Sequence, residues 1–202
     1  MLTLTVGCGR GPWFVAEQSE FGCRDGDIFA SEVLSYEPDF AGAPPVHPDV
    51  LDPGNALGPP DWTNADGDPG TGAVALGQGG RLELGFGGCS LGNDGSRLAD
   101  VRIYEIGPAV ERFTVFVRAT ADSVAAFDPA RRVDPGGRYF SAGELGGGVS
   151  ELDLDQIVVP GRAAEVDAIL FEDDPLQGSG SNAAWGADID AVELLLAEDF
   201  ER

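Results

Sequence analysis

The chain contains no lysine, so all 12 of its basic residues are arginine, and it has a single histidine, His47, set between Val46 and Pro48 in a proline-rich passage. One imidazole with no paired base or orienting group nearby offers no Ser-His or Cys-His nucleophile system. No stretch of about 18 apolar residues occurs, so the sequence contains no membrane-spanning helix. There is no Cys-x-x-Cys spacing among the three cysteines, which excludes a zinc knuckle and a thioredoxin-like motif. The glycines from Gly77 to Gly80 lie between strand-like segments and precede no helix, so they do not form a phosphate-cradling loop. Long segments of helical period are also missing.

Carboxylates are abundant: 35 Asp and Glu give a net charge of −23. Such a surface repels phosphate backbones and anionic headgroups, which argues against nucleic-acid binding. It suits hard cations, Ca²⁺ above all. Biased genome composition or adaptation to salt would give the same acidity. An apolar share of 43% supports one core, and 30 glycines with 14 prolines favour turns and short strands.

Residues 1–8, Met-Leu-Thr-Leu-Thr-Val-Gly-Cys, resemble the end of a bacterial lipoprotein signal, in which Cys8 becomes the lipidated residue, although the apolar part is short and lacks a basic leader. On that reading residues 1–27 are a signal remnant and tether, 28–197 the folded domain and 198–202 a tail. Cys23 and Cys89 are then an even pair, able to form one disulfide in an exported protein and expected as free thiols in the cytosol.

Strand-like runs recur between turn residues: 28–36, 73–76, 81–86, 98–106, 112–119, a stretch near 138–142, 151–159, 163–171 and 185–196. The runs 73–76 and 81–86, joined through Gly77, Gly79 and Gly80, read as a hairpin. In 98–106, alternation puts Val101, Ile103 and Glu105 on one side, so a buried Glu105 requires a partner, an arginine or an ion. Residues 38–69 form a long loop, within which Asn64, Asp66 and Asp68 alternate. An EF-hand fails there, because Pro69 replaces the turn glycine and Ala75 the bidentate glutamate. This pattern predicts an all-β sandwich. In the last run Asp188 and Asp190 lie two apart and project to one side of a strand, either into solvent or as one wall of a metal site.

The order Glu-Val-Leu-Ser-Tyr (32–36), Ala-Leu-Gly-Pro-Pro-Asp (56–61), Val-Ala-Leu-Gly-Gln-Gly-Gly-Arg-Leu-Glu-Leu-Gly-Phe (74–86), Ala-Asp-Val-Arg-Ile-Tyr-Glu (99–105) and Gly-Ala-Asp-Ile-Asp-Ala-Val-Glu (186–193) resembles bacterial cell-surface modules of the galactose-binding-like jelly-roll fold. More distantly, the last strand is similar to the closing strand of discoidin-type and carbohydrate-binding β-sandwiches. The resemblance implies an antiparallel jelly roll of about eight strands, braced by a Ca²⁺ ion that clamps the first strand to the last, with a glycan as a further ligand. It puts Glu32 and Asp190 near calcium-ligand positions, and Asp61, Asp100 and Asp188 at recurrent acidic positions. Trp62 and Trp185 flank loops, where they stack on a sugar or cover the core edge. The expected protein is a non-catalytic, extracellular or cell-surface module, an outer-membrane lipoprotein if Cys8 is lipidated, serving adhesion, glycan binding or surface architecture. A carbohydrate-active hydrolase using two loop carboxylates and a purely structural surface protein with no ligand beyond an ion are the alternatives.

Overall fold

The computed structural model describes residues 29–62, 72–106, 111–176 and 186–195. The tether 1–27 and the tail 198–202 lie outside the described residues, as do Cys8, Cys23, Asn64, Asp66, Asp68 and Trp185.

Among the described residues ten strands form two antiparallel sheets: β1 (Glu32–Glu37), β2 (Val74–Ala75), β3 (Arg81–Gly85), β4 (Leu91–Gly92), β5 (Val101–Ile106), β6 (Arg112–Ala119), β7 (Tyr139–Gly146), β8 (Val149–Leu152), β9 (Glu165–Asp173) and β10 (Asp188–Leu194). The larger sheet runs β1-β3-β9-β6-β7 with β4 also paired to β9, and the smaller runs β2-β10-β5-β8. The only helical pieces among the described residues are short 3-10 turns. The fold is therefore all-β, as expected.

Strand sequence and packing agree closely in β6. Phe113, Val115, Val117 and Ala119 are buried and the residues between them are not, which is the period of a strand with one face on a core. Side chains from both sheets share that core: Leu82, Leu84, Val115 and Phe171 from the larger sheet, and Val74, Val101, Ile103, Ile189 and Val192 from the smaller. Phe113 meets Phe171 edge-on with ring centroids 5.8 Å apart, while Phe127 stacks on Phe140 at 4.7 Å. Burying each such ring stabilises by about 2–3 kcal/mol.

The hairpin expected from 73–86 does not form. β2 pairs with β10 in the smaller sheet, and β3 pairs with β1 and β9 in the larger. The glycine turn carries the chain from one sheet to the other. The first run also divides: Phe29 and Ala30 lie against β10, through a Phe29–Glu193 bridge and a hydrogen bond from Ala30 N to Val192 O, before the chain enters the larger sheet at Glu32. The strand expected over 151–159 ends at Leu152 and is followed by the 3-10 turn Leu154–Gln156.

Candidate metal centre

Strand pairing assembles the site. β5 and β8 run antiparallel with Val101 opposite Leu152, so the residue before β5 and those after β8 meet at one end of the smaller sheet. The residue before β5 is Asp100, and those after β8 include Asp153 and Asp155. One carboxylate oxygen from each of these three comes within 4.8 Å of the other two. Calcium binds oxygens at 2.3–2.6 Å, so oxygens sharing one ion stand up to about 5 Å apart. The spacing fits.

Local structure holds each acid in place. Asp153 caps the 3-10 turn by accepting the N–H of Asp155 at 2.8 Å, and Asp100 Oδ2 accepts the N–H of Leu154 at 2.7 Å. Asp155 accepts from Asn93 Nδ2 at 2.6 Å and from Gly95 N at 2.8 Å, which ties the turn after β4 to the turn after β8. Asp100 is 2% exposed. Burial pushes its carboxyl up to about 7; the Leu154 N–H opposes this, while Asp94, Asp155 and Asp153 add to it. Every charged side chain in that account is an anion, which is the electrostatic setting a hard cation neutralises.

Of the residues singled out in the sequence, the structure brings only Asp100 into this group. Glu32 is exposed on β1. Asp190 is buried and its Oδ1 accepts the N–H of Asp61 at 3.3 Å, so this pair fastens the 53–62 loop to β10. Burial raises the Asp190 carboxyl, the Asp61 N–H opposes that, and the Asp61 charge adds to it. Asp188 has other neighbours: burial pushes its carboxyl up to about 8, with Glu111, Glu105 and Asp173 adding to the rise. The five acids singled out in the sequence thus have four different surroundings: Asp100 with Asp153 and Asp155, Glu32 exposed on β1, Asp61 with Asp190, and Asp188. Trp62 is half-buried. His47 caps the turn Pro48–Val50, its Nδ1 accepting the N–H of Asp49 at 3.4 Å. Cys89 is disulfide-bonded.

Asp153, Asp155 and Asn93 went unnoticed in the sequence. The usable signals were the Asp-x-Asp of 153–155, a turn-forming pattern, and Gly-Asn-Asp-Gly at 92–95. No protein-family model matches the chain, and no curated protein matches it.

Proposed function

We propose that this chain is a Ca²⁺-stabilised, non-catalytic β-sandwich module of a secreted or cell-surface protein, serving adhesion, glycan binding or surface architecture. The observation that carries the reading is the convergence of Asp100, Asp153 and Asp155, with three oxygens at the spacing of one coordination shell and the charges of Asp94, Asp155 and Asp153 all raising the buried Asp100. Oxygen-only donors at that spacing select a hard cation, and Asp100 and Asp153 sit at the adjoining ends of two paired strands. The disulfide at Cys89 supports a place outside the reducing cytosol.

Strand order supports the jelly-roll reading. With β1 and the two-residue β4 set aside, the neighbours β2/β10, β3/β9, β5/β8 and β6/β7 are the four strand pairs of one long hairpin. Rolling that hairpin up places β2/β10 beside β5/β8 and β3/β9 beside β6/β7, which is the order of the two sheets.

The test is a thermal melt at pH 7.5 in excess EGTA, in millimolar Ca²⁺ and in millimolar Mg²⁺. An ion at 100 times its Kd stabilises by about 2.7 kcal/mol, a rise of roughly 5–10 °C for a domain of this size. Asp155→Asn is expected to remove most of a Ca²⁺-specific rise. No rise in the wild-type protein sinks the reading. A stabilised protein that then stays silent on a glycan array but self-associates points to surface architecture rather than glycan binding.

A further inference from the structure

The loop that precedes β2 contains no arginine between Pro38 and Trp62, and its one basic side chain is His47. Prolines set its shape. Pro48 and Pro53 each open a 3-10 turn, capped by His47 and Asp52, and the buried Val50 and Ala56 fix the two turns to the body of the domain. Asn55 ties them to the residue before β2, its Nδ2 donating to Asp49 O and to Ala73 O, both at 3.2 Å. Gly72 closes the other side. Its φ is +100°, and a Cβ there would stand 2.9 Å from Asp61 Oδ1 and 3.4 Å from Trp62 Cα, so glycine alone lets those two residues pack behind it.

Pro48, Asp49, Asp52, Asn55 and Gly72 line an open cavity of about 340 Å³, within the roughly 300–1,000 Å³ of small-ligand sites. What it presents is acceptors. Asp52 uses Oδ1 on the N–H of Gly54 at 2.9 Å, and among the described residues nothing donates to its Oδ2. Asn55 has spent both amide protons, which leaves Oδ1 as its free group. Asp49 Oδ2 lies 3.7 Å from His47 Nδ1, but that nitrogen accepts the Asp49 N–H and so has no proton to offer the carboxylate. A ligand must therefore bring both the protons and the positive charge. Among the described residues only the Asp100 group brings three carboxylate oxygens within 4.8 Å of one another, so Asp49, Asp52 and Asp61 do not close on a single metal ion. Separated acceptors suit donors that are held apart on a rigid frame.

We propose that this cavity binds an amino sugar, with the ammonium on the carboxylates of Asp49 and Asp52, a ring hydroxyl donating to Asn55 Oδ1, and Pro48 supplying the apolar contact. Hydrogen bonds from an ammonium to carboxylates are the strong, charge-assisted kind. A lysine side chain concentrates its donors at one point, whereas a sugar ring spreads amine and hydroxyls over several. The proposal narrows the glycan part of the reading above and rests on it for the class of ligand, but its residues are not those of the Asp100 group.

Calorimetric titration at pH 6 in millimolar Ca²⁺ tests it, with the β-1,4-linked disaccharide of glucosamine, its N-acetylated counterpart and a short lysine peptide as probes. The glucosamine disaccharide is expected to bind, and the other two to bind at least about tenfold more weakly, the loss of one charge-assisted contact. Asp49→Asn and Asp52→Asn are each expected to weaken it by about the same factor; asparagine still caps the turn at position 52, so the fold is kept. Glu144→Gln, an exposed acid on β7, is the control for general attraction to the net charge of −23 and is expected to change nothing. No binding, equal binding of both disaccharides, equal binding of the lysine peptide, or binding indifferent to Asp49→Asn and Asp52→Asn overturns the proposal. The Ca²⁺ melt repeated on Asp49→Asn and Asp52→Asn keeps the two sites apart: a rise in melting temperature that persists in variants deaf to the sugar supports this site and leaves the Asp100 reading intact.

Discussion

Arg118 gathers the charge on the outer face of the larger sheet. Its Nε donates to Asp167 Oδ1 at 2.5 Å and its Nη1 to Glu83 Oε1 at 2.8 Å, while Arg138 holds the other Asp167 oxygen at 2.9 Å and the Tyr139 hydroxyl donates to Glu83 at 2.8 Å. Glu83 is itself buried. Arg118→Ala therefore strands a buried carboxylate, and a loss of about 2 kcal/mol in chemical denaturation is expected. A loss below about 0.5 kcal/mol would place the network with ordinary exposed ion pairs. Legibility at this scale depends on whether a residue's environment is local. Alternation along 98–106 placed Glu105 on the inner side, and the structure agrees, because that inference needs only the strand period. The same rule put Asp188 and Asp190 on one side of a strand, yet they meet different partners. The pairing of β10 with β5 shifts register between Ile189 and Ala191, and the loop that engages Asp190 arrives from 129 residues earlier in the chain. Neither fact is written near these residues in the sequence.

Among the elements, strand positions were more legible than strand partners. β3, β5, β6, β9 and β10 fall within or close to the runs expected for them, because each has a period-2 or continuous apolar pattern. β4, of two residues, and the 3-10 turns carry no such pattern. The lost hairpin shows why partners are harder: a glycine turn that reverses within one sheet and one that crosses between sheets use the same residues. The crossing has a specific steric requirement. Gly77 and Gly186 both have positive φ, at 81° and 83°, and a Cβ on Gly186 would stand 2.4 Å from Gly77 O. Glycine alone tolerates both the left-handed conformation and that approach. Gly186→Ala is expected to cost at least the roughly 1–2 kcal/mol of a left-handed non-glycine residue. It is also expected to lower Ca²⁺-free stability more than an alanine at Gly88, whose Cβ would meet nothing within 4 Å. Equal urea midpoints for the two variants would show that the Gly77–Gly186 contact does not constrain the entry to β10.

For the molecule as a whole, the buried acids set the response to pH. Asp173, Asp100, Glu105 and Asp188 are pushed from 3.8–4.5 up to about 6, 7, 7 and 8 in the folded state, in each case chiefly by burial. A carboxyl raised on folding keeps its proton in the native state where the unfolded chain has released it. Its contribution is therefore complete below about pH 4, the unfolded value, and is lost as pH rises through the folded value, with a slope of about 1.4 kcal/mol per pH unit for each group within its window. Through these four groups the ion-free protein is accordingly expected to melt progressively lower from pH 5 to pH 8. Bound Ca²⁺ reverses this penalty, since it requires the deprotonated ligands and neutralises them. The rise in melting temperature on adding Ca²⁺ is expected to be small at pH 5 and largest near pH 8. Screening gives a separate check: the net charge of −23 repels itself across the surface and weakens with 1 M NaCl, whereas a coordinated ion in a buried site is far less sensitive. An ion-free melting temperature that is flat or rising from pH 5 to 8 would mean that these four carboxyls are compensated within the fold. The acidity would then belong to the solvated surface and not to cation binding.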